Sequence, residues 1–151
     1  YIKQYNTRWF LLALNEKYQS ITNIPLDRIE DCVPIGLKYK PTDIDFNEYF
    51  EDVIGVTIPR DTSVEKIKLK FSPHRFSYIT SKPLHGSQKI IDEENGIIEL
   101  SLIPNNEFYA LLLSFGSDVE IIEPQSVRDG YMSQVKKTYE IYFSCADTLH
   151  T

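Results

Sequence analysis

The fold is decided by a pattern that begins at VEKIKLKF, residues 64–71, where apolar residues and lysines alternate. Strict alternation places Ile67 and Leu69 on one face of a strand and the lysines on the other, solvated face. The next two residues, Ser72 and Pro73, combine a good helix N-cap with proline at the first helical position. We therefore expect a half-buried strand followed directly by a helix.

The pattern continues through the rest of the chain. Four further segments are typical, in order, of a strand, a strand, a helix and a strand: residues 88–92, 96–103, 105–115 and 119–123. The two strands that follow the first helix are joined by a turn containing Asn95-Gly96, a strong hairpin signal. A last helix is expected after Pro124. The order β-α-β-β-α-β predicts a ferredoxin-like unit with an added C-terminal helix.

The first forty residues are organised differently. Trp9–Leu14 is a continuous apolar run, which predicts a strand buried on both faces, and residues 21–29 predict a second extended stretch. A hairpin of this size cannot fold alone, so we expect upstream strands, the rest of the chain or a second copy to complete it. Turn-forming residues then suggest a boundary at residues 34–42. The predicted organisation is a first segment at 1–40, a linker with a short helix at 41–63, the ferredoxin-like unit at 64–143 and a polar tail at 144–151.

Composition and charge exclude several classes of protein. The longest apolar run has six residues, far fewer than the roughly 18 needed to cross a bilayer, so no membrane association is expected. Two cysteines without a surrounding motif favour a reducing, cytoplasmic compartment. The net charge is −6, yet residues 1–40 carry six basic and four acidic side chains. A polyanion would therefore be bound locally, in this first segment.

The sequence shows no pattern for catalysis. None of the histidines, His74, His85 and His150, has a second ligand at metal-binding spacing, so we expect no metal site. The six glycines are scattered, and neither a phosphate-binding loop nor a nucleophile elbow occurs. We therefore expect no enzyme activity and no cofactor. His85 is interpreted first as a loop residue that hydrogen-bonds its neighbours.

Two residues of the first segment have a structural and a functional interpretation. Arg28 follows Asp27, with which it would form a structural ion pair, or it lies on a strand edge and binds phosphate through its two parallel N–H groups. Trp9, the single tryptophan, belongs either to the core or to an exposed edge where its indole could stack on a base. The residues alone leave both alternatives open.

Several segments resemble a known family in their order and spacing. RWFLLAL at residues 8–14, followed by LDRI at 26–29, resembles the WYL domain. Three later segments resemble the C-terminal extension of WYL proteins, called WCX: KPLHGSQ at 82–88, LSFG at 113–116, and Glu123-Pro124. The resemblance covers nearly the whole chain. It implies an α+β fold, with a partial Sm-like or SH3-like β-barrel segment before the ferredoxin-like extension.

The resemblance also implies a function. It predicts the effector-sensing and dimerising C-terminal region of a bacterial transcriptional regulator, whose N-terminal helix-turn-helix, missing from this chain, would bind operator DNA. The effector would be single-stranded nucleic acid or a nucleotide, bound in a basic and aromatic pocket. Trp9 and Arg28 match the WYL motif, and His85, Ser87 and Gln88 match a recurring loop of the extension, so these five are the candidate ligand-binding residues. The alternative is a purely structural module that forms a homodimer and binds no ligand.

Overall fold

The computed structural model describes residues 1–144, which form a mixed α/β protein with two antiparallel sheets and four α-helices. The first sheet has three strands in the order β1-β2-β3: β1 (Ile2–Tyr5), β2 (Arg8–Asn15) and β3 (Ser20–Pro25). Strand β1 is joined to β2 by Asn6 and Thr7, whose φ angles of 45° and 66° give a tight left-handed hairpin turn. No sheet closes into a barrel within these residues.

Strand β2 was predicted correctly, but its burial was not. Leu12 is its one fully buried residue, while Trp9 and Leu14 are 48% and 57% exposed. Leu12 packs into a small core with Phe50, Val53 and neighbouring side chains of the following segment. The prediction of a strand buried on both faces was therefore wrong, because this small sheet has one well-covered face in the described part of the chain.

The second extended stretch ends earlier than predicted. After β3, residues Leu26–Arg28 form one turn of 3-10 helix, which the amide of Ile29 closes by donating to the carbonyl of Leu26 at 3.3 Å. The carboxylate of Asp27 pairs with Arg8 of β2 at 3.2 Å. The placement of Arg28 on a strand edge was therefore wrong, because the chain turns away from the sheet before reaching it.

The short helix expected in the linker, at residues 43–55, is shorter than its sequence pattern predicts. Helix α1 (Phe46–Tyr49) is a single turn capped by Asp45, whose side chain accepts from the amide of Asn47. Beyond it the backbone turns toward the second sheet, and the carbonyl of Asp52 accepts from the amide of Ile103 at 2.7 Å. In a longer helix, the carbonyl of Asp52 would instead accept from an amide of the same helix.

The second sheet has four strands in the order β5-β6-β4-β7, and every predicted element of this half is present. Its strands are β4 (Glu65–Phe71), β5 (Lys89–Asp92), β6 (Ile97–Leu102) and β7 (Val119–Glu123). Its helices are α2 (Pro73–Ser81), α3 (Asn106–Ser114) and α4 (Gln125–Ser144), with one turn of 3-10 helix at Gly116–Asp118. The predicted cap of α2 is confirmed, because the side chain of Ser72 accepts from the amide of Arg75. The side chain of Asn105, the first residue of the predicted segment 105–115, caps α3 in the same way by accepting from the amide of Phe108.

The larger core lies between this sheet and its helices. Eight of its side chains have no exposed surface: Ile67, Leu69, Ile79, Ile98, Leu100, Leu102, Phe108 and Leu112. Gly96 in the β5–β6 turn has a φ of 68°, and a side chain there would lie 2.7 Å from the carbonyl oxygen of Phe71. Within residues 1–144 no helix is both long enough and apolar enough to cross a membrane. The predicted tail beyond residue 144, with Cys145 and His150, lies outside the described residues.

Candidate functional site

Two open clefts lie on either side of the β1–β2 turn. The inner cleft, of about 430 Å³, lies between the first sheet and the start of α3: Tyr5, Asn6, Arg8, Phe10, Asn23, Val56, Thr57 and Glu107. The outer cleft, of about 530 Å³, lies between that turn and the 3-10 turn after β3: Asn6, Thr7, Arg8, Trp9, Leu26 and Asp27. Asn6 and Arg8 line both clefts, so the hairpin turn is the centre of the candidate site.

The outer cleft contains one of the two predicted residues of the first segment. Trp9 lines it with about half of its surface exposed, so the interpretation of this indole as a core residue was wrong. Beside it, the guanidinium of Arg8 pairs with Asp27, and both side chains are about half exposed. An ion pair so open to water contributes little to stability, so Arg8 keeps much of its capacity to bind an anion.

Arg28 lies close in sequence but does not line either cleft. It is exposed on the 3-10 turn, and its neighbour Asp27 pairs with Arg8 instead. The proposed ion pair between Arg28 and Asp27 was therefore wrong, because β2 places a second guanidinium closer to that carboxylate. Phosphate binding by Arg28 stays a prediction.

The three predicted residues of the extension stabilise their own loop. Nδ1 of His85 lies 2.8 Å from the hydroxyl of Ser87, which confirms the interpretation of His85 as a residue that bonds its neighbours. The same hydroxyl accepts from an amide of β6 at 2.9 Å. The side-chain amide of Gln88 accepts from the amide of Leu84 and donates to a carbonyl of α2. These residues line neither cleft, so the structure does not bring the two predicted groups together.

Glu107 is a cleft residue that sequence reasoning missed. It lies in the first turn of α3, where its Oε1 accepts from the hydroxyl of Thr57 at 2.6 Å and from the amide of Val56 at 3.4 Å. Its Oε2 is buried and has no hydrogen-bond partner among residues 1–144. Burial and, secondly, the charge of Glu107 raise the pKa of Tyr5 above its usual value.

The segment that holds Glu107 in place is itself held by Asn105. The side-chain amide of Asn105 is buried and donates to the carbonyls of Ile54 and Thr57, each at 2.8 Å. Between these carbonyls, Gly55 has a φ of 89°, and a Cβ there would lie 2.8 Å from Cγ of Glu107. Only glycine allows so close an approach with this backbone conformation. The carboxylate is thus positioned by contacts between residues about 50 positions apart, for which the sequence has no local signal.

The fold and these clefts define the class of the molecule. It is a mixed α/β protein in which a four-stranded sheet packs against its helices and a smaller, three-stranded sheet borders the two clefts. Among the described residues no group of three His, Cys, Asp or Glu side chains could hold a metal ion.

The chain belongs to the WCX domain family, whose model matches residues 63–139. This confirms the resemblance of the second half to the WCX extension. Among solved structures, the chain is similar to proteasome accessory factor B/C (PafBC) of Arthrobacter aurescens, with 15% identity and a TM-score of 0.32. That match covers 82% of this chain and 19% of the other, so the chain spans about a fifth of PafBC. Comparison with curated proteins finds no match.

Proposed function

We propose that this chain is the effector-sensing C-terminal region of a bacterial DNA-binding transcriptional regulator. Residues 1–40 would be the end of a WYL domain, and residues 64–143 a ferredoxin-like WCX extension. Membership of the WCX family supports this, because that extension accompanies WYL domains in the regulators the sequence resembles. The strand order β5-β6-β4-β7, with α2 and α3 as the connecting helices, is the order of a ferredoxin-like sheet and supports the second assignment.

One observation carries the proposed ligand class: the exposed indole of Trp9 lies beside the guanidinium of Arg8 in the outer cleft. An aromatic face can stack on a base, and a neighbouring cation can neutralise its phosphate. We therefore propose single-stranded nucleic acid or a nucleotide as the effector. Arg28, exposed on the adjacent 3-10 turn, would bind a further phosphate.

This proposal predicts salt-dependent binding to which Trp9 and Arg28 both contribute. Fluorescence anisotropy of short labelled single-stranded DNA and RNA, across a salt series, should show affinity that falls steeply as salt rises. Trp9→Ala should weaken binding about tenfold through lost stacking. Arg28→Ala should weaken binding severalfold and reduce its salt dependence, because it removes one phosphate contact, without lowering the melting temperature.

The matched controls are exposed residues away from the outer cleft. Tyr18→Ala removes an exposed aromatic ring from the other hairpin turn, and Arg60→Ala removes an exposed guanidinium from the linker. Both should bind as the unaltered protein does. Binding that is absent at low salt, or equal in all four variants, would contradict the proposed effector.

A second candidate function is assembly, and a specific feature of α4 favours it. Five exposed apolar side chains follow one another along this helix: Met132, Val135, Tyr139, Tyr142 and Phe143. At about 100° per residue they lie on one side of the helix, with the three- and four-residue spacing of a helix-pairing seam. In this alternative, a second copy of the chain would bind the stripe to form a homodimer.

Sedimentation equilibrium tests the assembly function. We expect a concentration-dependent dimer that Met132→Ser and Tyr139→Ser each weaken about tenfold, because each removes apolar surface from the stripe. The control Ile141→Ser changes an exposed apolar residue on the same helix but outside the stripe, and should leave the dimer intact. A monomer at all concentrations, or equal loss with the control, would exclude pairing through this stripe.

A further inference from the structure

The inner cleft has chemistry that differs from the outer cleft and that nucleic-acid binding does not use. Glu107 lines it, with one carboxylate oxygen bonded to Thr57 and Val56 and the other buried without a partner in residues 1–144. Buried polar atoms are almost always hydrogen-bonded, and an ionised one is costly to leave unpaired. The carboxylate of Glu107 therefore has remaining capacity to accept a hydrogen bond from a bound ligand.

The charges around the inner cleft indicate which charge a bound ligand would carry. No Lys, Arg or His of residues 1–144 lies within 4 Å of the Glu107 carboxylate. Arg8, the single basic residue among the side chains that line the cleft, pairs with Asp27 on the outer side. Glu107 therefore has no cationic partner among residues 1–144, and its charge favours a cation over a phosphate on its side of the cleft.

The remaining walls of the cleft also favour an organic cation. Tyr5 and Phe10 line it, and aromatic rings attract ammonium and guanidinium groups through their negative faces. The volume of about 430 Å³ is within the range of small-molecule sites. A cation in this space would lie beside the carboxylate of Glu107.

We propose that the inner cleft binds a small organic cation, an ammonium or a guanidinium, that donates a hydrogen bond to the carboxylate of Glu107. The site goes beyond the proposed function, since it takes a ligand of opposite charge to the polyanion of the outer cleft. The two clefts share Asn6 and Arg8, so occupation of one can alter the other through the hairpin turn.

Isothermal titration calorimetry with three probes tests the site. Putrescine carries ammonium groups, agmatine carries an ammonium and a guanidinium group, and inorganic phosphate serves as the anion. We expect at least one of the two cations to bind and phosphate to produce no competition with it. Glu107→Gln should weaken the cation about tenfold or more, because it removes the charge. The glutamine oxygen can still accept from Thr57 and Val56, so the melting temperature should not fall.

The control Glu51→Gln removes one charge from an exposed linker position and should bind the cation normally.

Amide NMR shifts of the unaltered protein give a readout that does not depend on any variant folding. The bound cation should shift the signals of Asn6, Val56 and Thr57 and leave those of α4 unchanged. Absence of binding by both cations, equal binding to Glu107→Gln, or shifts confined to other regions would each overturn the proposal. Because the two cations carry no phosphate, their binding is independent of whether the outer cleft binds nucleic acid.

Discussion

Replacing Phe108 with alanine is expected to lower the free energy of unfolding by about 3–5 kcal/mol. Phe108 lies in the first turns of α3 with 0% of its surface exposed, inside the core between the four-stranded sheet and its helices. The substitution removes the ring and leaves a cavity, which tightly packed neighbours on several elements can fill only in part. Urea denaturation followed by circular dichroism should show a lower midpoint with an unchanged slope.

The control for this prediction is an exposed aromatic residue that lies outside the core. Tyr39, near the end of the first segment, is 85% exposed, so Tyr39→Ala should change the free energy of unfolding by no more than about 0.5 kcal/mol. Similar losses for the two substitutions would mean that Phe108 is not part of a packed core.

Replacing Asn105 with alanine should lower the free energy of unfolding by about 2–4 kcal/mol. Among residues 1–143, Asn105 is the one polar residue that is buried. Its loss leaves the amide of Phe108 and the carbonyls of Ile54 and Thr57 without their partner. Chemical denaturation measures the total, and hydrogen exchange should show faster opening at residues 54–57 than in the distant strand β5.

Asn105→Asp separates the two roles of this side chain. Aspartate can still cap α3 by accepting from Phe108, but it cannot donate to the two carbonyls and places a charge beside them. We expect destabilisation, with fast exchange at residues 54–57 and protection of the first turn of α3. If this variant were as stable as the unaltered protein, the two hydrogen bonds from Asn105 to the carbonyls of Ile54 and Thr57 would contribute nothing to the stability of the fold.

The second half of the fold was predictable because its signals are local. Alternation in residues 64–71 reports one buried face of a strand, and β4 buries Ile67 and Leu69 as that pattern requires. The caps Ser72 and Asn105 mark helix starts because their side chains bond amides only three residues later. Each of these interactions is complete within a few residues, so a single sequence contains it.

The first segment was harder to predict because its structure depends on partners far along the chain. Strand β1 was missed: it is four residues long, and Asn6-Thr7 is not a usual hairpin pair. An apolar run such as Trp9–Leu14 indicates a strand, but not how many of its faces are covered. That number depends on how the linker packs, and here it leaves Trp9 at the edge of a cleft.

By itself, therefore, the sequence determined the strand and helix order after residue 64, the helix caps and the membership of the WCX family. Only the tertiary structure decided which side chains share a cleft. It paired Arg8 rather than Arg28 with Asp27, and it brought Glu107 beside the first hairpin. The physical reason is distance along the chain: these contacts depend on backbone turns and on hydrogen bonds between residues about 50 positions apart, and no local pattern encodes them.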